Sequence, residues 1–152
     1  MPAGKFKVMG ESGPQDLTTA QLFDGKRVVL FSVPGAFTPT CNAKHLPGFV
    51  QQAAALQAKG VDTIACMAVN DVFVMNAWGK SVNVGDKVRM LADGNGEYAK
   101  ALGLELDARG YGMGQRGQRF AIIVDKGVAT QVLIEAPGEF KLSSAEHVLG
   151  QL

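Results

Sequence analysis

The chain has 152 residues, 47% of them hydrophobic and 19% charged, which suits one soluble globular domain over residues 1–152 and excludes a disordered chain. A formal net charge of +1 offers no attraction to nucleic acid or to an anionic membrane surface, and no apolar stretch approaches the roughly 20 residues of a membrane-spanning helix. Two cysteines make no disulfide framework and Met1–Lys7 lacks a signal-peptide pattern, so a reducing compartment, the cytoplasm, is expected.

Along the chain, runs rich in Val and Ile and bounded by Gly, Asp or Asn predict strands over Arg27–Val33, Asp62–Val69, Val88–Ala92, Arg119–Asp125 and Val128–Glu135. Helical patterns fall between or after them at Asn42–Lys59, Asp71–Ser81, Glu97–Leu102 and Ser143–Gln151. Asn70-Asp71 supplies capping residues ahead of Val72, Met75 and Trp78, and Ser143-Ser144-Ala145-Glu146 resembles a capping box opening the last helix. Pro47 should bend or restart the helix after Cys41, since it removes a donor and clashes with the preceding turn. Lys126-Gly127 reads as a tight hairpin turn. The order β-α-β-α-β, then a hairpin and a helix, implies crossover connections and a largely parallel sheet with an antiparallel pair near its end. Segment Ile64–Val69 is apolar on both faces, so helices should cover the sheet on both sides. The expected fold is α/β and thioredoxin-like, a central mixed β-sheet flanked by helices on both faces.

Cys41 lies where an apolar strand passes into a helix, in Val33-Pro34-Gly35-Ala36-Phe37-Thr38-Pro39-Thr40-Cys41. Unpaired amides and the macrodipole at a helix start favour an anion, and the thiolate is the reactive form of cysteine. Thr40 is a candidate N-cap. Thr38, three residues before Cys41, can bring its hydroxyl beside the sulfur, and Pro34 can shield the site without adding a donor. Arg119, after the glycine-rich Gly112–Gly117, is the candidate cation; spacing alone favours a surface ion pair instead. Gly112–Gly117 matches the dinucleotide fingerprint by letter, yet a strand follows it where a helix is required. His45, one turn after Cys41, is read as bracing the helix start or a subunit contact, with a Cys–His hydrolase dyad as the sharper alternative. Cys66, between apolar neighbours on a strand, is expected to be a buried thiol with a raised pKa and no resolving role. A zinc site would need Cys41, His45, Cys66 and His147, of which only the first two are close; no metal or cofactor is expected.

Pro34 through Cys41, followed by His45-Leu46-Pro47-Gly48-Phe49, resembles the active-site signature of the peroxiredoxins, whose Pro-x-x-x-Thr-x-x-Cys pattern is met by Pro34, Thr38 and Cys41. The flanking residues, with Ala68-Val69-Asn70-Asp71 and Gln118-Arg119-Phe120-Ala121, resemble the type II, peroxiredoxin-five-like subfamily over nearly the whole chain. The resemblance implies a thiol peroxidase that reduces hydrogen peroxide and small organic hydroperoxides, with peroxynitrite as a further substrate. Cys41 would become a sulfenic acid, Thr38 and Arg119 would orient the peroxide, and Pro34 would limit solvent access. Two-cysteine members carry a resolving cysteine near the last helix, where this chain has Leu142-Ser143-Ser144. It therefore looks like a one-cysteine peroxidase regenerated by glutathione and glutaredoxin, or by thioredoxin. A homodimer is implied, with Phe37, Phe73 and Trp78 as contact candidates, although core packing is the better explanation for each. The alternative is a thioredoxin-fold redox sensor that oxidises at Cys41 without efficient turnover.

Overall fold

In a computed structural model describing residues 1–152, a seven-stranded sheet runs through the molecule in the order β2-β1-β5-β4-β3-β8-β9. Its strands are β1 (Lys5–Gly10), β2 (Gly13–Thr18), β3 (Arg27–Ser32), β4 (Thr63–Ala68), β5 (Arg89–Ala92), β8 (Phe120–Asp125) and β9 (Val128–Ile134). The helices are α1 (Thr19–Phe23), α2 (Leu46–Ala58), α3 (Val72–Val82), α4 (Glu97–Leu102) and α5 (Ala145–Gly150). A separate two-stranded ribbon pairs β6 (Glu105–Asp107) with β7 (Gln115–Gly117).

The expected sheet was largely parallel. Only β3–β4 and β4–β5 are parallel; β1–β2, β1–β5, β3–β8 and β8–β9 are antiparallel. Beyond the expected β8–β9 pair, two of the three antiparallel pairs come from the N-terminal hairpin, which caps the exposed edge of β5, and the third from β8 running against β3. The sequence signal of the N-terminal hairpin is Lys5-Phe6-Lys7-Val8, a polar–apolar alternation that buries Phe6 and Val8 and leaves both lysines outside. The hairpin expected at Lys126-Gly127 is present, with both residues in the left-handed region (φ 50° and 84°) that a two-residue turn of this twist demands.

Alternation along β3 divides the core into two layers. Val29 and Phe31 face one cluster with Leu46, Phe49, Met75, Trp78 and Val148, from α2, α3 and α5. Val28 and Leu30 face the other, with Phe6, Leu22, Phe23 and Tyr98. Each such aliphatic or aromatic side chain contributes about 1.5–3 kcal/mol by leaving water, so the central strands are fixed in register by what they bury on both sides. Cys66, Ile64 and Ala68 of β4 belong to the same layer as Cys41.

Two cap expectations are corrected. Thr40 is already helical (φ −67°, ψ −39°) and its side chain caps nothing, because the helix starts one turn earlier: the Asn42 amide donates to the Thr38 carbonyl at 2.8 Å. Ser144, not Ser143, caps α5, its hydroxyl accepting from the His147 amide at 3.2 Å; Ser143 is engaged elsewhere. Asp71 caps α3 as expected, accepting from the Val74 amide at 2.8 Å. No helix is long and apolar enough to cross a membrane.

Candidate active site

The chain leaves β3 at Ser32, crosses Val33–Phe37 and enters a helix whose first residues wind differently from the rest. Cys41–His45 form a π-helical turn in which the Leu46 amide donates to the Cys41 carbonyl, five residues back. The cause is Pro47, which has no amide to donate to a carbonyl one turn earlier, so the ladder widens before α2 settles into regular geometry. The bend expected at Pro47 is thus realised as a wider turn, which carries both Cys41 and His45. Thr38 holds the loop: its hydroxyl donates to the Gly35 carbonyl at 2.7 Å. Asn70 holds it from the side, accepting from the Ala36 amide at 3.0 Å.

Cys41 is fully buried, yet it is not alone in hydrocarbon. Nη2 of Arg119, 78 residues away in sequence, donates to its Sγ at 3.0 Å. Arg119 takes part in none of the molecule's four ion pairs, which rules against the surface-ion-pair alternative. Its other arm, Nη1, lies 2.8 Å from Nδ1 of His45, and its guanidinium carbon sits 5.7 Å from the centre of the Phe140 ring. One planar fork therefore holds sulfur on one prong and imidazole on the other.

His45 is buried among Phe31, Phe49 and Phe140, with Nε2 2.9 Å from the Ser143 carbonyl. A carbonyl only accepts, so Nε2 carries the hydrogen. Nδ1 is then the lone pair that receives the Arg119 donor. Burial first, and the neighbouring guanidinium second, lower the His45 pKa to about 3. With both ring nitrogens engaged, His45 has none free to take a proton from Cys41, and the hydrolase dyad loses its base.

This has a consequence for acid stability. Unfolding frees His45 to titrate near its ordinary 6.5, so the unfolded chain binds the proton first and stability falls as pH drops from 6.5 towards 3. At about pH 4.5 the loss from His45 is about 2–3 kcal/mol, from ~1.4 kcal/mol per unit. Glu135 acts in the same direction below 4.5: burial raises its pKa, but amide and hydroxyl donors from Lys141, Ser143 and Leu142 outweigh that and the net shift is downward. Urea unfolding at several pH values checks this, and His45→Gln should flatten the dependence between about pH 6.5 and pH 4.5.

A cavity of about 370 Å³ opens beside this centre, lined by Pro34, Thr40, Leu106, Tyr111, Arg119 and Glu135 among others. Pro34 is partly buried and its carbonyl accepts from Nη1 of Arg116 at 3.4 Å, while Nε of Arg116 donates to the Met113 carbonyl at 2.9 Å. Gly112 and Gly114, both at φ 70°, turn the chain between β6 and β7, and the stretch that resembled a fingerprint thus leads Arg116 to the Pro34 carbonyl and Arg119 to the cavity. Thr38 makes no hydrogen bond to Cys41; with its hydrogen given to Gly35, its oxygen offers only lone pairs.

Comparison with known proteins gives the same reading. The Redoxin family model matches residues 1–149. Over 153 aligned residues the chain is 47% identical to Peroxiredoxin-2B of Arabidopsis thaliana, covering 100% of this chain and 94% of that one. The chain belongs to the type II peroxiredoxins. Members of this family are thiol-dependent peroxidases. This peroxiredoxin is also 51% identical to the chloroplastic Peroxiredoxin-2E of Arabidopsis thaliana, over 90% of its own residues but only 59% of the length of that relative. Its fold superposes with a TM-score of 0.95 on reduced Prx3 of Vibrio vulnificus in complex with hydrogen peroxide, at 49% identity, covering 99% of this chain and 94% of that one.

In this peroxiredoxin Cys66 is the second free thiol, fully buried in β4. Burial first, then the neighbouring Cys41, push its pKa up; Arg119 opposes them only in part. Cys66→Ala should leave peroxide turnover within about twofold of wild type and lower stability by about 1 kcal/mol, as small core truncations do. Steady-state turnover and thermal unfolding of the variant check both. Of the aromatic contact candidates, Trp78 is in the core, whereas Phe37 and Phe73 are 51% and 64% exposed. Phe37 is also held at φ 64°, a left-handed conformation that costs an aromatic residue about 1 kcal/mol. What the sequence did not bring forward is Glu135, whose carboxylate organises the residues behind His45.

Proposed function

We propose that this single-domain peroxiredoxin reduces hydrogen peroxide and small organic hydroperoxides at Cys41. The observation that carries this is the 3.0 Å contact between Arg119 Nη2 and the Cys41 Sγ. A guanidinium at that distance sets a positive charge and a hydrogen-bond donor beside the attacking sulfur and offers a donor to the oxygen that gains charge. The thiolate attacks one peroxide oxygen. A sulfur–oxygen bond forms, the oxygen–oxygen bond breaks, and the second oxygen leaves with the electron pair as hydroxide or alkoxide and takes up a proton. Thr38, its own hydrogen committed to Gly35, accepts from the peroxide hydroxyl, and Pro34 screens the sulfenic acid from bulk water. The size of the cavity, about 370 Å³, leaves room for an alkyl group and for peroxynitrite alike.

The sulfenic acid needs a thiol from outside. Ser143 and Ser144 stand at the head of α5, and Cys66 lies inside the sheet. An external thiolate displaces water from the sulfenate sulfur to give a mixed disulfide, and a second thiol releases Cys41. Glutathione with glutaredoxin is the favoured donor, in the cytoplasm, over thioredoxin. Peroxide consumption measured with each donor system in turn tests this. Sustained turnover is expected with glutaredoxin; a single oxidation event followed by arrest under every donor would instead favour a redox sensor.

Homodimerisation through the face carrying Phe37 and Phe73 accompanies this reading. Both aromatics are exposed and lie close in sequence to the two ends of the Asn70–Ala36 hydrogen bond, Phe37 next to Ala36 and Phe73 three residues after Asn70. Phe37→Asp should shift the protein to monomers in sedimentation velocity at micromolar concentration; an unchanged sedimentation coefficient would place the contact elsewhere.

A further inference from the structure

Behind the catalytic fork lies a chain of contacts ending on a buried acid. The Glu135 carboxylate, with the residue only 7% exposed, accepts from the amides of Lys141 (2.8 Å), Leu142 (2.9 Å) and Ser143 (2.8 Å) and from the Ser143 hydroxyl (2.7 Å), all on Oε2. Oε1 takes a further contact from the Lys141 amide at 3.0 Å. These donors gather residues 141–143 into one conformation, and the product is the direction of the Ser143 carbonyl, 2.9 Å from His45 Nε2. At its own backbone, Glu135 donates its amide to the Arg119 carbonyl at 3.0 Å. One residue thus ties the main chain of the arginine to the loop that orients that arginine's side-chain partner.

We infer that Glu135 is a positioning residue for peroxide reduction, acting through Ser143 and His45 to keep the Arg119 guanidinium aimed at Cys41. A guanidinium has five donors and no acceptor, so it can rest on His45 only while Nδ1 is an unprotonated lone pair. Nδ1 stays bare only while the hydrogen resides on Nε2, and the Ser143 carbonyl keeps it there. A carboxylate is the group this task requires, since it accepts every hydrogen the 141–143 segment presents and has none to give. Were the segment to relax, the imidazole could turn or change tautomer. An Nδ1 hydrogen would then face the Arg119 prong, and the other prong would leave the sulfur. Glu135 also lines the cavity beside Arg119, where a bare carboxylate would oppose a thiolate; the donors upon it absorb that charge.

This rests on Cys41 and Arg119 forming the peroxidatic pair, and the experiment separates the two claims. Rapid mixing of reduced protein with hydrogen peroxide gives the second-order rate constant of Cys41, and nitrogen NMR of the imidazole reports the His45 tautomer. The wild-type rate constant alone judges the peroxidase reading: slow oxidation there would end it whatever Glu135 does. If the wild type is fast, Glu135→Ala should lower the rate constant by about 10- to 100-fold, the scale of lost hydrogen bonds to a charged group. Glu135→Gln, which keeps one acceptor oxygen, should fall by about 3- to 10-fold, and both should show His45 with hydrogen on Nδ1 in part of the population. Should the alanine variant not fold, the glutamine variant decides. A rate within twofold of wild type, or a slow variant whose His45 keeps its hydrogen wholly on Nε2, overturns the inference.

Discussion

Cys41→Ser should reduce peroxide consumption to the uncatalysed background while leaving the protein folded. The substitution replaces sulfur by a smaller oxygen in a fully buried position, and the hydroxyl can still receive the Arg119 Nη2 hydrogen that now goes to Sγ. Packing and the fork to His45 therefore survive. What disappears is the soft, readily ionised nucleophile: a serine hydroxyl stays protonated and does not attack a peroxide oxygen. Cys66 cannot substitute, because it is enclosed in β4 with its thiol held protonated by burial. Circular dichroism and a coupled peroxide assay on one preparation check both halves of the prediction.

Arg119→Ala should lower the rate constant for peroxide by about 10²- to 10³-fold, the usual cost of removing a donor aimed at developing charge. Two losses combine in it. The sulfur loses the positive charge and the hydrogen-bond donor beside it. The leaving oxygen also loses a donor in a site that water cannot readily fill. His45 Nδ1 is left facing the gap, so structural disturbance should spread to the Ser143 segment. Arg119→Lys should recover only part of the rate. One ammonium can sit beside the sulfur, but it does not reproduce a planar fork whose two prongs reach Sγ and Nδ1 together. Full recovery by lysine would mean that charge alone matters and that the fork geometry does not.

Features carried by contiguous residues were legible in the amino-acid sequence. The apolar runs of β3, β4 and β8 could only be central strands, and Lys126-Gly127 could only be a turn. The stretch Pro34–Cys41 holds the proposed nucleophile, its loop brace and its proposed shield within eight residues, so the candidate site could be read directly. Arg119 is different. Nothing in its spacing from Cys41 implies contact; family resemblance singled it out, and the β6–β7 ribbon with the antiparallel pairing of β8 against β3 brings it there. The N-terminal hairpin was missed because β2, Gly13–Thr18, buries little besides Leu17 and reads as a polar loop. Phe37 and Phe73 were expected in the core by residue type, but Phe37 lies on a loop and Phe73 in the first turn of α3, and both stand in solvent. Glu135 was invisible for a plainer reason: its partners are mostly backbone amides, which carry no signature in side-chain letters.

The most direct test of the account is a single turnover without any reductant. Reduced protein is mixed with one equivalent of hydrogen peroxide in the presence of a sulfenic-acid trap such as dimedone, and the adduct is located by peptide mass spectrometry. The account predicts one adduct per chain, on Cys41, formed in wild type and greatly slowed in Arg119→Ala. An adduct on Cys66 in place of Cys41, or trapping at Cys41 that proceeds equally fast without the arginine, would contradict it.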